Sequence, residues 1–387
     1  MRLTRQQAID ILYGSLYLGG GGGGDIDTGM GIIDKTILSE EETVELIPFN
    51  EAPSDGIYVT ISPVGSPASP DIHCGDDTFT RIIELLREKQ AADPTLPQGE
   101  IAGFIPCEIG ASSSFGPFMS AFQLGKPVVD ACCDGRAHPL GIMGSLGLQA
   151  KDEDRVVQVG CGGNPERNLY VEVQTVASVN CASNIIRSSA SAAGGLIEVA
   201  RNPVNRDWLA GTDWTHGHRC ADGAYALALN IGTAFNAAGT PYDKMMAACN
   251  AMHGNKVGKG IISDFVIETR NALDYGHFIV TDVDKVYKLT FCNEYMALEE
   301  VGADGTLTRI NTFPDLIVTV DPATGIPIPT AKINDYVNRE VYIVASSKAN
   351  MKLGAGLKYK APYETLEAAL GIEMISYNTD IIIDLEP

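Results

Sequence analysis

Residues 19–24 of this chain read GGGGGG, directly ahead of Asp25. Six successive residues without a Cβ atom sustain neither helix nor strand, because glycine loses more conformational freedom on ordering than any other residue. Yet the run follows at once on the best-signalled helix of the sequence. Thr4 with Gln7 makes a capping box, Ala8, Ile11, Leu12 and Leu16 line one face, and Gly19 ends it. Such a run has two physical uses. Its backbone N–H groups cradle an anion, or the chain passes closely under a ligand. It is not a phosphate loop, since no Lys-Ser/Thr follows, and not a dinucleotide fingerprint, since no strand precedes it. Gly21, Gly22 and Gly23 are therefore candidates for facing a small ligand. A plain packing turn is the structural alternative.

Glycine is abundant throughout, 41 of 387 residues, with no collagen-like period. The length suggests two domains at roughly 100–200 residues each. The 28 basic and 49 acidic residues leave a net charge of −21. A surface so negative repels phosphate backbones and anionic lipid heads, so neither nucleic acid nor membrane is expected as a partner. The uncharged stretch 109–125 is broken by serines, glycines and a proline, so no membrane span is expected. The first residues carry Asp10 within their apolar part and no small-residue cleavage site, so no secretory signal is expected either. Nine cysteines lie scattered without framework spacing, which points to reduced thiols and a cytoplasmic location.

The fold class expected is α/β followed by α-plus-β. Residues 44–49, 56–62, 101–107 and 127–133 read as strands, the later ones apolar throughout, with helices at 76–90 (capped by Asp76 or Asp77) and 113–125. Apolar strands separated by helices predict a mainly parallel sheet covered on both faces. After residues 156–159 the texture of the sequence changes. Residues 180–200, rich in Ala and Ser, read as helix, as do 221–238 and 242–252. From 255 onward the chain is β-rich, with a last short helix at 363–370. The boundaries drawn are 1–168 for the first domain and 169–387 for the second, helical to about 252.

In an open parallel sheet, ligands bind beyond the carboxyl ends of the strands. Three such ends run into polar loops: 62–66; Cys107 and Glu108 with the serines that begin at Ser112; and Asp130 through His138. Glu108, Asp130, Asp134 and Arg136 brought to one rim would form a site, since unpaired charge is costly there. A structural network in which Arg136 neutralises two carboxylates is the alternative. Cys107 beside Glu108, and Cys132 near Arg136 and His138, are candidate nucleophiles, although free cysteines are often simply buried. His216 and His218 with Cys220 lack a second cluster or a recognised zinc spacing.

Taken together, LGGGGGGD, EIG at 108–110, LGKPVVDA followed by DGRAHP, NKVGKGIISDF, FCNEYMA and FPDLIVTVDPATGIPI resemble the family named for S-methyl thiohydantoin desulfurase. Some members of that family are joined to hydantoinase/oxoprolinase-type subunits. The resemblance implies a swivelling-type β subdomain in the second half. It also implies hydrolysis of a five-membered S-methyl thiohydantoin-type ring, with release of methanethiol to leave a hydantoin. The site residues it implies are Asp25, Glu108, Asp130, Asp134 and Arg136, with Asn293 and Glu294 from the second half; Ser112 and His138 are further substrate-binding candidates. Where the family usually reads Asp-Ala-Asp-Gly this chain has Asp130-Ala131-Cys132-Cys133, and an aromatic residue is more usual at His138.

Three routes stay open on the sequence. Glu108 or Asp130 activates water, with Asp134 or Arg136 assisting the ring nitrogen. Cys107 or Cys132 adds covalently. A divalent metal, held by these carboxylates and His138, supplies the chemistry; the cofactor is either such a metal or none. A homo-oligomer is the assembly expected, with a hydantoinase-type subunit as the other candidate partner and a non-catalytic accessory role as the alternative function.

Overall fold

The computed structural model describes residues 1–66, 69, 71–150 and 155–383. Two sheets share a layer of helices. The first sheet contains β1 (Leu46–Pro48), β2 (Ile57–Gly65), β3 (Ile101–Pro106), β4 (Val128–Cys132), β5 (Val156–Gly162), β6 (Val171–Ala177), β7 (Leu196–Val204) and the two-residue β8 (Ala221–Asp222). Their order is β1-β4-β3-β2-β7-β5-β6, with β8 on the side of β4. β1, β4, β3 and β2 run parallel, but β2–β7, β7–β5 and β5–β6 pair antiparallel. The sheet is thus mixed rather than mainly parallel. Helices α3 (Thr78–Ala92) and α4 (Gly116–Leu124) connect the parallel strands.

The antiparallel half comes from a segment whose sequence reads as helix. α5 (Val179–Ala192) stops at Gly194 and Gly195, whose φ angles of 96° and 121° suit glycine alone. The next residues, LIEVARNPV, form a strand buried beside β2. Alanine and serine favour one long helix on propensity, and burial between β2 and β5 overrides it. The expected boundary at residue 168 falls in the turn between the paired strands β5 and β6, and β7 and β8 reach this sheet from beyond it.

Helix α1 (Arg5–Leu18) has the capping box its sequence announces and ends at Gly19. α2 (Ile26–Thr36) was not anticipated; Asp25 is its N-cap and accepts from the Thr28 N–H at 3.0 Å. α3 begins at Asp77, which makes no capping bond, while Asp76 pairs with Lys35. After the short α6 (Arg206–Ala210) come α7 (Ala224–Ala237) and α8 (Pro241–Ala251). α1 and α7 cross at backbone contact: a Cβ on Gly14 would lie 1.8 Å from Ala228 O, and one on Gly232 1.6 Å from Asp10 O.

The second sheet is antiparallel, ordered β13-β12-β11-β10-β9-β15-β14. Its strands are β9 (Asn255–Arg270), β10 (Leu273–Thr281), β11 (Val286–Cys292), β12 (Glu294–Val301), β13 (Leu307–Thr312), β14 (Leu316–Val320) and β15 (Glu340–Ser346). It curls so that β12 also meets β14, around Phe278, Leu289, Phe291, Tyr295 and Ile343. Helix α9 (Ala361–Leu370) covers β11. Leu316, Val318 and Val344 share one core with α1, α7 and α8, which welds the two sheets. Among the described residues no helix is long and apolar enough to cross a membrane.

Candidate functional site

A cavity of about 540 Å3 opens where the ends of β2 and β3, the loop after β4, strand β7, the glycine run and the β11–β12 corner meet. Cys107 and Glu108 reach it because β3 ends at Pro106 and the chain turns there. His138 arrives from the loop after β4, held by its own N–H on Glu108 Oε2 at 3.0 Å. The imidazole stands between two groups. Nε2 is 3.6 Å from Cys107 Sγ and Nδ1 is 3.8 Å from Glu108 Oε2. Arg201, on β7, completes the line with Nη2 2.6 Å from Cys107 Sγ and 2.8 Å from Ser62 Oγ.

Burial and neighbouring charge set the protonation states. A hydrogen bond with Cys133, then burial, pushes the Cys107 thiol well above its ordinary value, against Arg201 and His138. Burial pulls His138 down, but Cys107 and Glu108 outweigh it and leave the imidazole raised. Glu294 enters from the start of β12, 2% exposed, with Oε2 lacking any partner. Burial, then the charge of Glu108, pushes its carboxyl well up, so it is held neutral. Burial alone lifts Glu198 of β7 to about 8. Arg187 of α5 also lines the cavity and donates to the carbonyls of Ala272 and Pro139.

The glycine run is clamped rather than loose. Gly20 O accepts from Tyr295 N, Gly21 O from Thr330 N and Gly23 O from Ser113 N. A Cβ on Gly22 would fall 1.9 Å from Glu294 Oε1, and one on Gly24 1.7 Å from Ser112 Oγ. Gly23, Gly24, Asp25 and Ser112 line the cavity, whereas Gly21 packs on Tyr295 and Thr330, and Gly22 supports Glu294 from behind. Asn293 takes the positive φ of 54° that turns β11 into β12, and its Oδ1 accepts from Asp274 N at 2.9 Å.

Four of the expected site residues do not reach this rim. Asp130 accepts from the N–H groups of Tyr225 and Ala226, at 2.8 and 3.1 Å, and so caps α7. Asp134 is fully buried and accepts from Gly135 N and Gly354 N. Arg136 is fully buried, donates to the carbonyls of Ala137, Pro314 and Asp315, and lies over the Phe313 ring. Cys132 is in the main core. β4, which carries Asp130 and Cys132, is buried on both faces, and Asp134 and Arg136 are buried just beyond its end, so these residues serve internal contacts instead of one rim. Sequence reasoning missed Arg201, Arg187 and Glu198, while Ser62 belongs to the 62–66 strand end it had singled out. The signal for the β7 pair was there, since Gly194-Gly195 and the β-branched residues after them mark a strand start. Among the described residues no three His, Cys, Asp or Glu side chains are grouped to hold a metal ion; His218 pairs with Asp222 and stacks edge-on to Phe49.

Family models described as "S-Me-THD-like, N-terminal domain" and "S-Me-THD-like, C-terminal domain" match residues 6–153 and 177–364. A search of curated proteins returns no match. Among solved structures, the X-ray structure of a protein from Chromobacterium violaceum is similar, with a TM-score of 0.69 at 16% identity. The match covers 96% of this chain and 98% of that one, and it speaks for the fold alone.

Proposed function

This chain belongs to the S-Me-THD-like family, and from that premise we propose that it hydrolyses a small S-methyl thiohydantoin-type ring, releasing methanethiol and leaving a hydantoin. The observation that supports this most is the line Glu108–His138–Cys107–Arg201 along the wall of the cavity. A cavity of this size suits a single small ring and its substituents, within the roughly 300–1,000 Å3 of ligand pockets.

The resting thiol of Cys107 is protonated. His138 takes that proton as the sulfur adds to the ring carbon bearing the S-methyl group, with Arg201 beside the developing thiolate. The C=N electrons move onto the ring nitrogen, and neutral Glu294 supplies the proton there. When the double bond re-forms, the proton returns to Glu294 and methanethiolate departs with the proton held by His138. Water, deprotonated by His138, then attacks the same carbon. Cys107 leaves with its proton restored, and the product is the ring carbonyl with an N–H beside it. One water enters and one methanethiol leaves.

The test is a turnover screen of S-methyl thiohydantoins, thiohydantoins and hydantoins, read by methanethiol release and ring opening. Release from S-methyl thiohydantoins, reduced roughly 10³-fold or more in Cys107→Ser, is expected. No release from any ring by the folded protein overturns the reading in favour of a ligand-binding accessory subunit of a hydantoinase-type enzyme. Full activity in Cys107→Ser overturns the covalent route and returns the role to Glu108 as base.

A further inference from the structure

Cys133 takes no part in the proposed reaction, yet it lies against the sulfur that does. Past the formal ends of β3 and β4 the two chains stay paired, with Cys133 N–H on Pro106 O and Asp134 N–H on Cys107 O, both at 3.0 Å. Neighbouring strands run about 4.8 Å apart, inside the roughly 4.4–6.8 Å between Cα atoms that a disulfide spans. These two bonds set residues 107 and 133 beside each other across the pair. We propose that Cys107 and Cys133 form a peroxide-responsive thiol pair, in which oxidation of Cys107 from the cleft closes a disulfide onto Cys133 and shuts the site.

The surroundings fix the order of events. Cys107 lines the cavity and has His138 and Arg201 at its sulfur, placed to take its proton and steady the thiolate as it reacts. Cys133 does not line the cavity. It is fully buried with Ile105, Val129 and Leu146, and its other polar contact is Thr60 Oγ1 at 3.3 Å. A peroxide therefore meets Cys107 first. Its sulfur attacks the O–O bond, giving a sulfenic acid and one water. The Cys133 thiol then attacks that sulfur, and the hydroxyl leaves with the thiol proton as a second water. Two electrons pass from the thiols to the peroxide. Cys132, one residue earlier, points to the opposite face of β4 and into the main core, so it is not in position to resolve the sulfenic acid.

The effect on turnover rests on the reading of Cys107 as nucleophile; the disulfide itself does not. The full chain is titrated with hydrogen peroxide and followed by intact mass, peptide mapping and methanethiol release. A loss of about 2 Da, a linked Cys107–Cys133 peptide pair and lost turnover, all reversed by dithiothreitol, are expected. Cys133→Ser should show no such linkage and instead gain about 16 and then 32 Da, and the turnover lost with the second oxygen is one that no thiol restores. Cys132→Ser should behave as the unsubstituted chain does. Only oxygen addition in the unsubstituted chain, or a linkage of Cys107 to any other cysteine, overturns the pair; this mapping decides even if Cys133→Ser does not fold. Linkage in a chain that never turns over supports the pair and counts against the proposed reaction instead.

Discussion

His138 is pulled by three influences, and their balance sets how the site answers to pH. Burial disfavours the imidazolium, while Cys107 and Glu108 favour it and win, so the group titrates above its ordinary 6.5. Only neutral imidazole can accept the Cys107 proton. The acid limb of kcat/KM should therefore lie above pH 6.5, and Glu108→Gln should move it down, which a pH–rate series reads directly. The same shift is linked to stability. A raised histidine contributes stability that is full below its unfolded value and lost as pH rises through the folded one. His138→Gln should lower turnover by about 10²–10⁴-fold. Gly22 is the second decisive residue. A methyl group there would sit on the Glu294 carboxylate, so Gly22→Ala should cost about 1–3 kcal/mol of stability in a urea melt and reduce turnover in the fraction that folds.

At the scale of elements, α7 starts on a carboxylate from a neighbouring strand. Asp130 satisfies two of its free N–H groups. Asp130→Ala should destabilise the chain by about 1–2 kcal/mol in denaturant and leave kcat of the folded protein unchanged. Retained stability with lost turnover would instead return Asp130 to the chemistry. This scale also explains what could be read in advance. α1, α8, α9 and most strands carry their own caps, glycine stops or apolar runs, so their residues announce them. Of the residues that line the cavity, Cys107, Glu108 and His138 were legible because they follow strand ends, whereas Asn293 and Glu294 came only with the family resemblance. β7 was not, because alanine and serine suit either structure and only its neighbours β2 and β5 decide. Asp130, Asp134 and Arg136 misled for a related reason. Charge in or just after an apolar strand signals a constraint, and sequence does not say whether that constraint is a ligand or a backbone N–H or carbonyl group.

Across the whole molecule, Arg136 ties the loop after β4 to the segment before β14 through the carbonyls of Pro314 and Asp315 and the Phe313 ring. Burial lowers its pKa, and the charges of Asp134 and Glu294 oppose that. Arg136→Met removes the cation and leaves those acids without it, at a cost of about 3–5 kcal/mol. Because Glu294 would lose a neighbour that draws it toward ionisation, turnover in the folded fraction should survive at neutral pH, as assayed after native purification. The clamped glycine run carries one more consequence, in time rather than space. Its carbonyls are held by Tyr295 and Thr330, some three hundred residues downstream. Contacts that distant form late, and a chain folds from its N-terminus as it is synthesised. The cleft therefore has no finished wall until the second sheet has emerged and docked. A nascent or truncated chain ending before residue 330 should hold the first helix but bind no ring.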